Sequence, residues 1–408
     1  MADLSQIKGI NARQIKLLQE NGISTAEALA MSPSPTVAEI DGLGDKTAKK
    51  LIWNARNALG MSEFVAAATI SENVDYIQTG SAKLNRILGG GLQTGKLTEV
   101  YGPFKSGKTA LAHTASVAVQ LSERKGGVNG AVVYIDTENT FSKEKIKRIA
   151  KRFELNPSTV LSKIFHARIY STDHQAQMIQ KAEILCRTRN VRLIIVDSLM
   201  ALLRAEFVGI GKLAPRQAVL NNMIHVLSRI AETYNCAVLL TNQVATRMMG
   251  MFSSNDAIGG NIVAHGCHFR VMFKTKGFSS NNSLKRNAII VDAPDLPPEQ
   301  AEFFITGLGV ADTDQVEMPD SKELDLEFET LYEESKSSPA ENKISAEESL
   351  INVKGIGKGT AESLENEGIT SVSGLLEADP EELSAKISGA SLNKVKEWQQ
   401  NAKALFNT

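Results

Sequence analysis

At 408 residues and 44.1 kDa, the chain has room for about two to four domains at roughly 100 to 200 residues each. Its 42% apolar and 22% charged residues exclude wholesale disorder, and no stretch approaches the roughly 18 apolar residues of a membrane span. Lys plus Arg (45) nearly balances Asp plus Glu (46), for a net charge of −1, which taken alone argues against a polyanionic partner.

The N-terminus has no basic segment followed by an apolar one. Cys186, Cys236 and Cys267 are odd in number and lie far apart in apolar segments, as reduced core thiols do. A cytoplasmic, soluble protein with no membrane contact is expected. In chain order, residues 1–60 read as a small helical domain broken by glycines. IKGI at 7–10 and NGI at 21–23 return as VKGI at 353–356 and EGI at 367–369, so 350–408 is expected to copy the same fold. Val37–Ile52 (VAEIDGLGDKTAKKLI) has a helix-hairpin-helix pattern with Gly42 and Gly44 framing the hairpin, and Leu350–Leu364 repeats it with Gly355 and Gly357. Glycine there lets backbone N–H groups approach a phosphate without sequence preference. Lys46, Lys49 and Lys50, or Lys354 and Lys358, add counterion release. Such hairpins also serve as protein contacts, and the residues fit either use.

Residues 61–73 form a linker that is apolar at Phe64–Ile70 (FVAAATI). From 74 to 310, apolar runs at 97–101, 131–135, 163–168, 192–196, 237–241 and 269–273 alternate with helical stretches such as Lys108–Leu121 and Gln217–Tyr234. This predicts an α/β core with a mainly parallel sheet covered on both faces. Ala311–Ser349 holds 13 acidic and 3 basic residues and reads as a solvated, disordered tether.

Within the core, Gly102–Thr109 (GPFKSGKT) follows a strand and opens a helix, the setting of a phosphate-binding loop. Gly102, Pro103, Phe104, Lys105, Ser106 and Gly107 would wrap the phosphates of ATP with backbone N–H groups. Lys108 would reach the β and γ phosphates, and Thr109 would hold Mg²⁺. Asp197 ends LIIVD, where a carboxylate can hold Mg²⁺ through water, although an Asp after a strand also caps turns. Glu138, in IDTENTF after another strand, is the residue placed to polarise an attacking water, or else a helix-start acid.

GPFKSGKT, IDTENTF (135–141), LIIVDSLMALLRAEF (193–207), TNQV (241–244), IGGNIVAH (258–265) and DAPDLP (292–297), in this order, resemble the RecA/RadA strand-exchange recombinases of the archaeal and eukaryotic branch. The resemblance covers about residues 1–310. It implies a RecA-like ATPase core, a filament or ring of identical subunits on single-stranded DNA, exchange with double-stranded DNA, recombination mediators as further partners, and association with the nucleoid. It makes Gln243 the sensor linking the γ-phosphate to a DNA-facing loop, with His265 its partner. Asp292 and Pro294 become part of a cap over the neighbouring subunit's ATP, and Lys145 stands where the family's Arg covers the adenine. Phe64 and Ala67 match the F-x-x-A polymerisation pattern, read as an extended segment adding to a sheet edge; packing on their own domain is the alternative. DNA-facing loops are implied at Arg204–Arg216 and at Val244–Asn261, the latter with Arg247, Met248, Gly259 and Gly260 in a mobile Gly-rich segment whose apolar side chains can wedge between bases.

Ile210, Ser142, Lys143 and Lys145 depart from the family pattern, and an Arg-to-Lys change at a stacking site is not conservative. Two other readings therefore stand: a paralogue acting as mediator or regulator, and a scaffold bridging DNA through its two end modules. The near-zero charge also divides. Without the −10 of Ala311–Ser349 the rest of the chain carries +9, and Gly211–Ile290 holds 9 basic against 2 acidic residues. If the acidic segment competes with DNA for that basic face, its deletion tightens DNA binding, most at low salt; a titration at two salt concentrations checks this.

Overall fold

The computed structural model describes residues 2–69, 73–249, 252–278 and 284–316. Toward the C-terminus it describes 353, 356–357, 360–361, 363–364, 367, 369, 372–387 and 390–406. The chain divides into two compact units, Met1–Leu324 and Asp325–Thr408. No described helix is long and apolar enough to cross a membrane.

The first unit opens with four helices, α1 (Ala12–Glu20), α2 (Ala26–Ala30), α3 (Ser34–Ala38) and α4 (Asp45–Ala58). Asn11 starts α1 through a capping box, its side chain accepting the Gln14 N–H at 2.9 Å while Gln14 returns to the Asn11 N–H at 3.0 Å. Leu18, Leu29, Val37, Leu43 and Leu51 form the small core beneath.

The larger part is a nine-stranded sheet. Its strands are β3 (Leu97–Tyr101), β4 (Ala131–Asp136), β5 (Ile164–Arg168), β6 (Val191–Asp197), β7 (Ala237–Asn242), β10 (Phe269–Phe278), β11 (Leu284–Asp292), β12 (Gln300–Thr306) and β13 (Gly309–Ala311). A short ribbon, β1 (Tyr76–Ile77) with β2 (Leu92–Gln93), precedes it, and a hairpin, β8 (Val244–Met249) with β9 (Phe252–Ala257), interrupts it. The order is β13-β12-β11-β10-β3-β7-β6-β4-β5. Strands from β10 to β5 run parallel, as expected from their near-continuous apolar runs, and β11 to β13 add an antiparallel extension that those runs did not announce. One edge is the five-residue β5 and the other the three-residue β13.

Helices cover both faces. One face packs on α5 (Ala82–Ile87), α6 (Lys108–Ala118), α7 (Lys143–Arg152) and α8 (Pro157–Ser162). The other packs on α9 (Thr172–Thr188), α10 (Ala201–Glu206), α11 (Leu213–Tyr234) and α12 (Asn261–Gly266). Cys186, Cys236 and Cys267 are free and buried; a hydrogen bond with Cys236, together with burial, pushes the Cys186 thiol far up, which keeps it protonated.

Two boundaries differ from the sequence reading. The acidic segment does not begin at 311: Ala311 closes β13, and Asp312 accepts from Ser81 Oγ and from the backbone N–H groups of Ala82 and Lys83, capping α5. Burial acts to raise the Asp312 pKa, but those donors hold it below the usual value. Residues 317–349, the bulk of the expected tether, lie outside the described residues.

The second correction concerns the repeat. Within the C-terminal unit the Ile369 N–H meets the Leu364 carbonyl at 2.9 Å and the Ala361 N–H meets Gly357 at 2.9 Å. In the N-terminal module, Ile23 meets Leu18 at 2.8 Å and Ile15 meets Asn11 at 3.0 Å. Gly357 thus matches Asn11 in the first hairpin, not Gly44 in the second. The counterpart of Gly44 is Ser391, whose carbonyl accepts the Val395 N–H at 3.0 Å as Gly44 accepts Ala48 at 2.9 Å. Each module therefore holds two hairpins. Helices Val372–Glu377, Pro380–Lys386 and Leu392–Phe406 pack the C-terminal core around Leu375, Val395 and Trp398.

Candidate active site

Four neighbouring parallel strands, β3, β7, β6 and β4, end side by side, and each delivers one functional element at its carboxyl end. Gly102–Thr109 follows β3, Gln243 follows β7, Asp197 ends β6, and Glu138 lies two residues past β4. They line one cavity of about 500 Å³, with Ala110, Thr140, Val244 and Ile305 completing the wall.

The phosphate loop leaves no room for side chains where it turns. A Cβ on Gly102 would stand 2.4 Å from the Phe273 carbonyl oxygen, and one on Gly107, at φ +109°, 2.4 Å from Ile305 Cδ1. Lys105 adopts φ +61° at the apex. Its carbonyl accepts from Arg286 Nη2 at 2.7 Å and from Nε at 3.2 Å, so the antiparallel extension braces the loop. Lys108 Nζ donates to the Gly102 and Pro103 carbonyls at 2.9 and 3.0 Å. Burial lowers its pKa, with Asp197 and Glu138 acting in the opposite direction. Phe104 is exposed and Ser106 buried.

Asp197 is 2% exposed and accepts from four hydroxyls. Thr109 donates to Oδ2 at 2.8 Å, Tyr134 at 3.0 Å and Thr140 at 3.2 Å, and Thr241 donates to Oδ1. Burial first, and then Asp197 itself, pushes the Tyr134 phenol well up, so it stays a donor. Glu138 Oε1 accepts from Ser198 Oγ at 2.6 Å and from Gln243 Nε2 at 3.0 Å, the latter across 105 residues of chain. Among the described residues no three His, Cys, Asp or Glu side chains gather into a metal cage. One carboxylate beside one hydroxyl suits an oxygen-loving divalent ion that takes its remaining ligands from phosphates and water.

The loop carrying Glu138 is organised by Asp136, which accepts the N–H groups of Glu138 (3.1 Å), Thr140 (3.2 Å) and Phe141 (3.2 Å) and contacts His166 Nε2 at 3.3 Å. Burial works to raise its pKa, but these donors hold it below the usual value. A depressed carboxyl stabilises the fold above the unfolded Asp value of roughly 3.9 and loses that contribution as pH falls through the folded value. Asp136→Asn is therefore expected to lower Tm at neutral pH, with the gap to the unsubstituted protein closing below about pH 3.9; melting curves across pH 2–7 read it.

Several other expected residues are placed elsewhere. Lys145 does not line this cavity, and its Nζ donates to the Thr306 carbonyl at 2.8 Å. Asp292 ends β11 and Pro294 follows, both exposed and neither lining the cavity. His265 is exposed in the last turn of α12 and does not line the cavity either.

The segment expected to be a mobile loop is a hairpin, in which β8 and β9 pair from Val244↔Ala257 to Met249↔Phe252. Gly259 and Gly260, at φ +111° and +61°, turn the chain into α12. Arg247 and Met248 lie on β8. Arg204 is exposed on α10, and Arg216 is half-buried near the start of α11.

Gly42, at φ +89°, and Gly44 are exposed before α4, beside exposed Lys46, Lys49 and Lys50. Gly357 is exposed, and Gly355, Lys354 and Lys358 lie outside the described residues. Phe64 is 109% exposed and makes no core contact. Ala67 begins a single 3₁₀ turn, Ala67–Thr69, where an extended strand was expected, because the Thr69 N–H and hydroxyl both return to the Ala66 carbonyl at 2.8 Å.

Sequence reasoning missed Tyr134, Thr140, Ser198, Thr241 and Arg286. The one usable signal was the Tyr in AVVYI, since a phenol in a buried strand needs a hydrogen-bond partner.

Residues 71–313 match the Rad51 family profile, and residues 1–57 and 347–404 each match that of the SAM-like helix-hairpin-helix tandem. The chain is 38% identical over 314 residues to the DNA repair and recombination protein RadA of Aeropyrum pernix, covering 76% of this chain and 97% of that protein. It is 36% identical over 322 residues to the RadA of Cenarchaeum symbiosum, covering 77% of this chain and 80% of that one. With a phosphate loop and the ends of three neighbouring strands gathered into one cavity, and more than half of its length matching one family profile, the chain belongs to the Rad51 family.

Proposed function

We propose that this protein is a DNA-dependent ATPase that assembles on single-stranded DNA and promotes homologous pairing and strand exchange in recombinational repair. The observation that carries this reading is the contact between Glu138 and Gln243 at the root of the β8–β9 hairpin, which joins the hydrolytic acid to the stem of the segment assigned to DNA.

In this reading the phosphates of ATP lie along Gly102–Thr109, with Lys108 as the cation. Mg²⁺, when bound, would be held by Thr109 and Asp197 and would offset the negative charge of the phosphates. The Glu138 carboxylate accepts a proton from the attacking water. Ser198 and Gln243 fix the orientation of that carboxylate, and Gln243 also responds to the γ-phosphate. Asp292 and Pro294, exposed and outside their own cavity, are free to cover the site of an adjacent subunit. Gly42 and Gly44 present N–H groups to duplex phosphates, and the C-terminal tandem offers a second surface of the same kind.

D-loop formation by the full chain, run beside ATP hydrolysis with and without single-stranded DNA, tests the reading. Joint molecules together with DNA-stimulated hydrolysis support it. Stimulated hydrolysis without joint molecules would establish an assisting paralogue instead, and the absence of hydrolysis would leave a DNA-bridging scaffold.

A further inference from the structure

A buried polar chain runs beneath the sensor. Glu99, in the middle of β3 and 0% exposed, accepts Arg270 Nε on Oε2 at 2.8 Å and Asn242 Nδ2 on Oε1 at 2.8 Å. Arg270 is its direct partner on β10. Asn242, likewise 0% exposed, uses nearly everything it has. Its Nδ2 also donates to the Ile258 carbonyl, Oδ1 accepts the Gln243 N–H at 2.8 Å, and its own carbonyl accepts the Gly102 N–H at 3.3 Å. The Ile258 N–H closes the ring by donating to the Gln243 carbonyl at 3.1 Å. One side chain thus touches the outgoing and returning stems of the β8–β9 hairpin, while its backbone holds the first residue of the phosphate loop.

A buried ion pair in a central strand adds little stability over apolar residues of the same size. What it supplies here is direction. An Asn amide can sit either way round, and only its surroundings decide. Glu99 only accepts, so the NH₂ must face it, which leaves Oδ1 for the Gln243 N–H and the second amide hydrogen for Ile258. Glu99 is in turn held by Arg270.

We propose that Asn242, oriented by the Glu99–Arg270 pair, is a positioning residue that fixes Gln243 and both hairpin stems to the phosphate loop, so that nucleotide occupancy and DNA binding are coupled through it. This rests on the reading above, in which the hairpin faces DNA.

The test uses the full chain and a fluorescein-labelled oligo-dT, with its affinity measured with and without a non-hydrolysable ATP analogue. The unsubstituted protein is expected to bind DNA about tenfold or more tightly with the analogue. Asn242→Asp sets a carboxylate against Glu99 and should melt early. Adding Glu99→Gln exchanges amide and carboxylate: Gln at 99 donates to Asp at 242, which still accepts the Gln243 N–H, but the Ile258 carbonyl has lost its donor.

This double variant should recover cooperative melting while its nucleotide effect on DNA affinity falls below about threefold. Asn242→Ala, which adds no charge, should show the same loss. A recovered nucleotide effect in the double variant, or an intact one in Asn242→Ala, overturns the proposal. So does failure of all three variants to melt cooperatively, since the network would then serve only the core. If the unsubstituted protein itself shows no nucleotide effect on DNA affinity, the functional reading fails first and this inference falls with it.

Discussion

Replacing Glu138 by Gln is expected to lower kcat for ATP hydrolysis by roughly 10²–10⁴-fold while nucleotide affinity stays within about threefold. The acid lines the cavity but is no part of the Gly102–Thr109 loop, so the groups proposed to hold the nucleotide, Lys108 and the loop amides, are untouched. An amide keeps the size of the side chain and still accepts from Ser198 and Gln243 through its carbonyl oxygen, but it is far too weak a base to take a proton from water. Single-turnover hydrolysis and equilibrium binding of a fluorescent ADP analogue separate the two effects. A parallel loss of affinity would instead place Glu138 among the groups that bind the nucleotide. Lys108→Ala differs in kind: it removes the cation of the loop, and both binding and turnover should fall.

The second large effect is on assembly. Phe64→Glu is expected to convert large, polydisperse material into a species near the 44.1 kDa of one chain, with an unchanged Tm. Phe64 is fully exposed and touches no core of its own, so a charge there costs its own fold nothing. A charge in a neighbour's apolar pocket, in contrast, has to be desolvated without a partner. Gel filtration with light scattering gives the mass, and thermal melting checks the fold. A drop in Tm of several degrees with no change in mass would mean that Phe64 packs within its own chain in solution.

That the glycine-rich turn, Glu138, Asp197 and Gln243 come together in one cavity was expected because each has a local signature: a glycine-spaced turn after a strand, or a polar residue at or just past the end of an apolar run. The parallel half of the sheet was readable for the same reason. The antiparallel extension was not, because β11 begins Leu-Lys-Arg-Asn, and nothing local reveals that Arg286 and Asn287 are 4% exposed. Their burial is licensed by partners far away in sequence, Lys105 and Gln300. The hairpin at 244–257 was taken for a loop from the family resemblance, although Val244 and Thr246 are β-branched and favour a strand. Lys145 was placed by family position, and the Thr306 carbonyl that its side chain reaches is 161 residues away in sequence, a contact nothing local announces. The second hairpin of the C-terminal module was hidden by chemistry, since Ser391 stands where the first module has Gly44.

The sheet's two edges are unequal, which would give the proposed assembly a direction. Five-residue β5 has no further strand paired beyond it among the described residues, whereas β13 is three residues long and held at its end by the Asp312 cap on α5. A contact that joins Phe64 of one copy to the β5 side of the next is head-to-tail, so it never closes into a symmetric pair. Every open array built this way would have two different termini, one with a free aromatic and one with a free edge. A chain bearing Phe64→Glu keeps the edge and loses the aromatic, so it can receive a neighbour but not join one. Mixed into normal protein at a minor fraction, it should shorten the arrays out of proportion to its amount, as a chain terminator does in polymer growth.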